Sequence, residues 1–126
     1  MDNNITNING MEEEELEQAQ EEAKKAENLF TLKCKKPFTY EGNEYSELSF
    51  DFDGLTGRDS LDVERELAVR GIQVAVPAFS GEYIIRIAAK ACTDAKIGSD
   101  AFERMSLKDY NRLRSKVRNF LMGSES

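Results

Sequence analysis

The stretch from Tyr83 to Cys92 constrains this chain more than any other part of it. Tyr83, Ile84, Ile85, Ile87, Ala88, Ala89, Ala91 and Cys92 would place apolar side chains almost all the way round a helix. Such a helix cannot lie on a surface, so the rest of the chain has to wrap it. Ser80 supplies an N-cap, and the spacing predicts a helix through Thr93 at the centre of the fold. The stretch is interrupted by Arg86 and Lys90 and is far shorter than the roughly 20 apolar residues a membrane span needs, so a role within a membrane is not expected.

What wraps the central helix follows from the change in hydrophobic period along the chain. From Thr31 onward the period is two: Leu32, Cys34, Phe38 and Tyr40 on one face, then Leu48, Phe50 and Phe52. Gly42 and Asn43 between them mark a β-hairpin. A two-residue Gly42-Asn43 turn would set the two apolar sets on opposite faces. The sequence therefore favours an odd-length loop or a bulge near Glu44, with Phe38 opposite Leu48 and Cys34 opposite Phe52. Thr56 followed by Asp59 has the spacing of a helix N-cap, Leu61, Val63, Leu67 and Ala68 form an apolar stripe, and Gly71 is a stop signal, giving a helix over about residues 57–70. Ile72 to Val76, closed by Pro77, is short enough to be an extended connector or an edge strand. A turn of helix is expected at Ser99 to Arg104. Ser106 with Asp109 then opens a last helix that ends before Gly123, with Leu107, Tyr110, Leu113, Val117, Phe120 and Leu121 as its apolar seam.

Charge divides the chain at the same place as hydrophobic pattern. Of 126 residues, 24 are Asp or Glu and 17 Lys or Arg, a net charge of -7. Residues 1–30 hold nine acidic side chains against Lys24 and Lys25, so they carry all of it, while residues 31–126 balance at 15 of each sign. Residues 1–30 read as a flexible acidic arm with helix-compatible composition at 11–28, residues 31–123 as the folded domain, and 124–126 as a tail. An acidic chain repels phosphate, so nucleic acid is not the expected partner even though Ser106 to Met122 carries a local excess of basic residues.

The familiar chemical motifs do not form. The sequence has no histidine, so neither thiol has an imidazole base and the common nucleophile–base arrangements are missing. Two cysteines, Cys34 and Cys92, make neither a disulfide framework nor paired zinc spacing. Asp51, Asp53 and Gly54 lack the central glycine and closing glutamate of a calcium loop, and Gly54 to Gly57 lacks the Gly-Lys-Ser/Thr of a phosphate loop. No catalytic residue, metal ligand or cofactor is assigned, and the chain is read as a binding protein.

The expected fold is α+β: an N-terminal β-hairpin packed against a small bundle of three to four α-helices, preceded by the acidic arm. The order of parts over residues 32–122 resembles the tail assembly chaperones that long-tailed phages and prophages encode between their tail tube and tape measure genes. The residues that carry the resemblance are Lys36-Pro37-Phe38, the Gly42 turn, Leu48-Ser49-Phe50-Asp51-Phe52-Asp53, Leu55-Thr56-Gly57-Arg58-Asp59, Ile87-Ala88-Ala89-Lys90-Ala91, Leu107-x-Asp109-x-x-Arg112-Leu113 and Val117-x-Asn119-Phe120-Leu121. The acidic arm lies outside it. The resemblance implies a protein of the host bacterial cytoplasm that keeps the tape measure protein soluble, recruits tail tube protein around it and leaves before the virion is complete. It implies no cofactor and no reaction.

Phe120, Leu121 and Met122, at the far end of the last seam, are the residues expected to contact a partner. Association into a homo-oligomer is left open by the sequence. Two other readings remain open from sequence: a structural tail completion or connector protein of the virion, and a small nucleic-acid-binding regulator using the last helix.

Overall fold

The computed structural model describes residues 13–21 and 29–123. The remainder of the expected arm and the expected tail at 124–126 lie outside the described residues. Residues 13–21 form a helix, α1, exposed along its whole length, with Leu16 55% exposed. The folded part then runs β1 (Phe30–Tyr40), β2 (Asn43–Phe50), α2 (Gly57–Val69), a 3₁₀ turn (Pro77–Phe79), α3 (Gly81–Ala91), a second 3₁₀ segment (Ser99–Arg104) and α4 (Leu107–Met122). The architecture is α+β: a two-stranded antiparallel hairpin whose apolar face packs on helices.

Helix ends obey local chemistry. The Asp59 carboxylate accepts the Thr56 backbone N–H at 2.8 Å at the start of α2. At its end Gly71 adopts φ 75°, and the N–H groups of Ile72 and Gly71 bond the carbonyls of Leu67 and Ala68 at 2.9 and 3.0 Å, a Schellman closure. Ser80 Oγ accepts the Tyr83 N–H at 3.2 Å to open α3, and Gly123 at φ 63° closes α4. Ile72 to Val76 joins no strand and is a connector.

α3 is central, as its composition requires: Ile84 and Ala88 are fully buried and Tyr83, Ile85, Ile87 and Ala91 nearly so. Burial of each large apolar side chain stabilises the fold by about 1.5–3 kcal/mol. The helix ends at Ala91, two residues short of the expected Thr93. Cys92 turns extended and bridges Phe50, while Thr93 N–H bonds Ser49 O and Asp51 N–H bonds Ala91 O, both within 3 Å. The chain leaving α3 thus covers the end of β2 that would otherwise have unpaired backbone groups.

The hairpin register differs from the expectation. The turn is Glu41-Gly42, with φ 49° and 82° and with Tyr40 paired to Asn43. Two successive positive φ values are what a tight hairpin needs to match the strand twist. The irregularity lies in β1 between Lys33 and Phe38, not near Glu44, so Leu32 pairs with Leu48, Phe30 with Phe50 and Phe38 with Tyr45. Cys34 falls within the irregular stretch, and Phe52 lies beyond β2. One buried face still results, from Leu32, Phe38, Tyr40, Leu48 and Phe50, because the bulge restores the phase that the two-residue turn alone would lose.

Candidate partner-binding surface

The bulge in β1 is held by a carboxylate. Asp109, at the third position of α4 and fully buried, accepts the backbone N–H groups of Lys35 and Lys36 at 3.1 Å each. It also accepts Ser106 Oγ–H at 3.0 Å and Arg112 Nη1–H at 3.1 Å, and the same Arg112 nitrogen donates to Lys33 O at 2.8 Å. Burial alone would raise the Asp109 carboxyl, but these donors outweigh it and hold its pKa below the ordinary value. The edge of β1 is therefore closed by α4, and the start of α4 is fixed against the hairpin.

That fixed start leaves Leu107 71% exposed, although the seam places it in the core. The contact seam of α4 begins later, with Leu113 and Val117 fully buried and Tyr110 half-buried. Leu107 instead borders a groove of about 550 Å³ whose floor includes Ile85, Phe102 and Met105, with Tyr110 on one wall and Glu82 and Glu103 also lining it. Glu82 is paired with Arg86 at 2.8 Å. An apolar floor with an acidic rim suits the apolar stripe of a partner helix that carries basic flanking residues.

The three residues expected at a partner contact have different surroundings. Phe120 is 38% exposed and stacks on Phe52 at 5.4 Å, the outer end of an aromatic series through Phe50 to Phe102 with centroid spacings of 5.7 and 6.0 Å. Leu121 is half-buried against the core, and Met122 is 59% exposed. Near the same part of α4, Arg118 donates to Ala78 O at 3.2 Å and lies over the 59% exposed Phe79 ring at 5.3 Å. The sequence places Leu107 in the apolar seam and does not reveal the groove, and it gives Asp109 no structural role beyond the helix cap. The available signal was the break of alternation at Lys35-Lys36-Pro37, which marks a strand that bends away from regular pairing.

Burial pushes both thiols up, Cys34 with added repulsion from Asp109, which keeps them protonated and poorly nucleophilic. The Tyr40 hydroxyl, donating to Asp100 at 2.8 Å, is also raised by that hydrogen bond. Among the described residues no group of three or more acidic or cysteine side chains is placed to hold a metal ion, and no helix is long and apolar enough to cross a membrane. Comparison with known proteins adds no relative: no family model, no curated protein and no solved structure matches the chain.

Proposed function

We propose that this chain is a tail assembly chaperone of a long-tailed phage or prophage, acting in the host cytoplasm on the tape measure protein and on tail tube subunits. The reading rests on the order of sequence landmarks over residues 32–122. The structural observation that supports it is the groove beside Leu107, an open apolar surface on a small α+β domain. A tape measure protein exposes long helical segments with apolar stripes, and such a stripe can bury itself against Ile85, Phe102, Met105 and Leu107. The exposed Glu103 carboxylate would favour a stripe flanked by Lys or Arg, whereas Glu82 is already compensated by Arg86. Phe79 and Met122 offer a second, smaller apolar contact.

Co-expression with the tape measure gene tests the proposal. The wild-type chain should keep the tape measure protein in the soluble fraction and co-purify with it. Leu107→Glu should melt like wild type, because an exposed residue at the first turn of a helix contributes little to stability. It should nonetheless lose partner affinity by a hot-spot amount of about 2 kcal/mol or more. Insoluble tape measure protein with the wild-type chain present would overturn the proposal. Finding the chain as a stoichiometric part of purified particles would favour the connector reading instead.

A further inference from the structure

A second surface is independent of the groove and is electrostatic. On α4, Lys108, Arg112 and Lys116 recur every fourth residue and so form one stripe along the helix. Lys108 is exposed, the Arg112 side chain is 42% exposed, and Lys116 is half-buried with its ammonium 5.4 Å above the Phe30 ring. Because the Asp109 carboxylate takes the N–H groups of Lys35 and Lys36, those exposed lysines are brought beside the upper end of this stripe. The opposing charges on the same elements are few: Asp109 lies buried beneath and engages one nitrogen of Arg112 at 3.1 Å, and β2 carries Glu44 and Glu47, the latter opposite Lys33 in the strand register. A domain whose charge balances overall thus concentrates positive charge on one face.

The complementary element is in the chain itself. α1 carries Glu13, Glu17 and Glu21 at the same fourth-residue spacing, with Glu14 and Glu15 beside them, no basic residue, and every position exposed. Each stripe runs over nine residues of helix, eight steps from first to last, about 12 Å at 1.5 Å per step. Three glutamates can therefore meet three cations in register, whichever way the two helices run. Since α1 lies exposed from end to end rather than packed on the domain of its own chain, we infer that its occupancy is exchanged: the acidic helix of one copy docks on the basic face of a second copy. Exposed ion pairs are individually weak, so the association is weak, reversible and strongly dependent on salt.

The full-length chain tests this by sedimentation. Self-association should be evident at about 0.01 M salt, where the screening length is about 30 Å, and lost at about 1 M, where it is about 3 Å. The double substitution Lys108→Glu and Lys116→Glu should abolish association at low salt, and adding Glu13→Lys and Glu21→Lys to it should restore association. Zero-length carbodiimide cross-linking of a mixture of heavy-nitrogen and unlabelled chains should give mixed-isotope amides joining Glu13, Glu17 or Glu21 to Lys108 or Lys116. Amides formed only within one isotope would mean that each arm covers its own domain and would overturn exchange. Association that survives high salt, is not rescued by the charge swap, or disappears on nuclease treatment would overturn the assignment of the face to the acidic helix.

Discussion

Asp109 shows how one side chain can set both an element boundary and a tertiary contact. Its carboxylate serves two strand amides, a cap hydroxyl and a guanidinium, so replacing it by asparagine removes the charge and leaves amides competing for one remaining carbonyl oxygen. Asp109→Asn should therefore cost about 3 kcal/mol, read as a lower midpoint in thermal unfolding. The pH dependence has a definite sign. With its pKa lowered in the fold, the group binds protons more readily when unfolded, so it stabilises above the ordinary aspartate value near 3.9. That contribution is lost as pH falls through this value toward the lower folded one. The wild-type midpoint should fall more steeply than that of Asp109→Asn below about pH 5; parallel curves would show that folding does not lower the pKa of this carboxyl. At the other end of α4, the contrast between Phe120 and Met122 separates stability from contact. Phe120→Ala removes the ring stacked on Phe52 and should cost roughly 2 kcal/mol or more of stability. Met122→Ala should leave the melt within about 0.5 kcal/mol, and equal losses in calorimetry would place both residues in the core.

Elements were legible wherever a local cap or an unambiguous period specified them. Thr56 with Asp59, Ser80, Ser106 with Asp109, and the glycines at 71 and 123 carry their own hydrogen-bonding logic, and the helices between them follow within a residue or two. The hairpin register was not legible, because it depends on α4, more than 70 residues away, supplying acceptors for the amides of Lys35 and Lys36. The end of α3 was misjudged for a similar reason: the apolar run continues, but Ser49 O accepts the Thr93 N–H and Asp51 N–H donates to Ala91 O, which draws the chain into a bridge with the end of β2. The groove beside Leu107 escaped notice because a seam read at helical spacing does not reveal where the neighbouring helix stops covering it. The turn itself yields a prediction. Glu41 occupies a positive φ that costs a side-chain-bearing residue about 1 kcal/mol, and asparagine tolerates it better. Glu41→Asn should raise stability by about 0.5–1 kcal/mol, seen as a higher denaturant midpoint at unchanged slope. A lower midpoint would contradict the Glu41-Gly42 turn.

At the scale of the whole molecule, core and charge occupy different parts of the chain. The buried cluster runs from Leu32 to Val117, with Phe30 and Leu121 packed at its borders, whereas every residue of α1 is exposed. α1 therefore contributes little apolar burial, and its glutamates gain nothing from the core. A chain beginning at Leu29 should keep a cooperative thermal transition with a stability change under about 0.5 kcal/mol at high salt, where electrostatic contributions are screened. If the acidic helix docks on a second copy, the same shortened chain should be monomeric at low salt under conditions in which the full chain associates. It should also retain whatever affinity the Leu107 groove has for its partner, since that groove is built from α3, α4 and the 3₁₀ segment between them. Loss of the cooperative transition would mean that residues before Leu29 belong to the folded core. A shortened chain that melts normally yet no longer solubilises the tape measure protein would instead move the partner contact from the groove to the acidic arm.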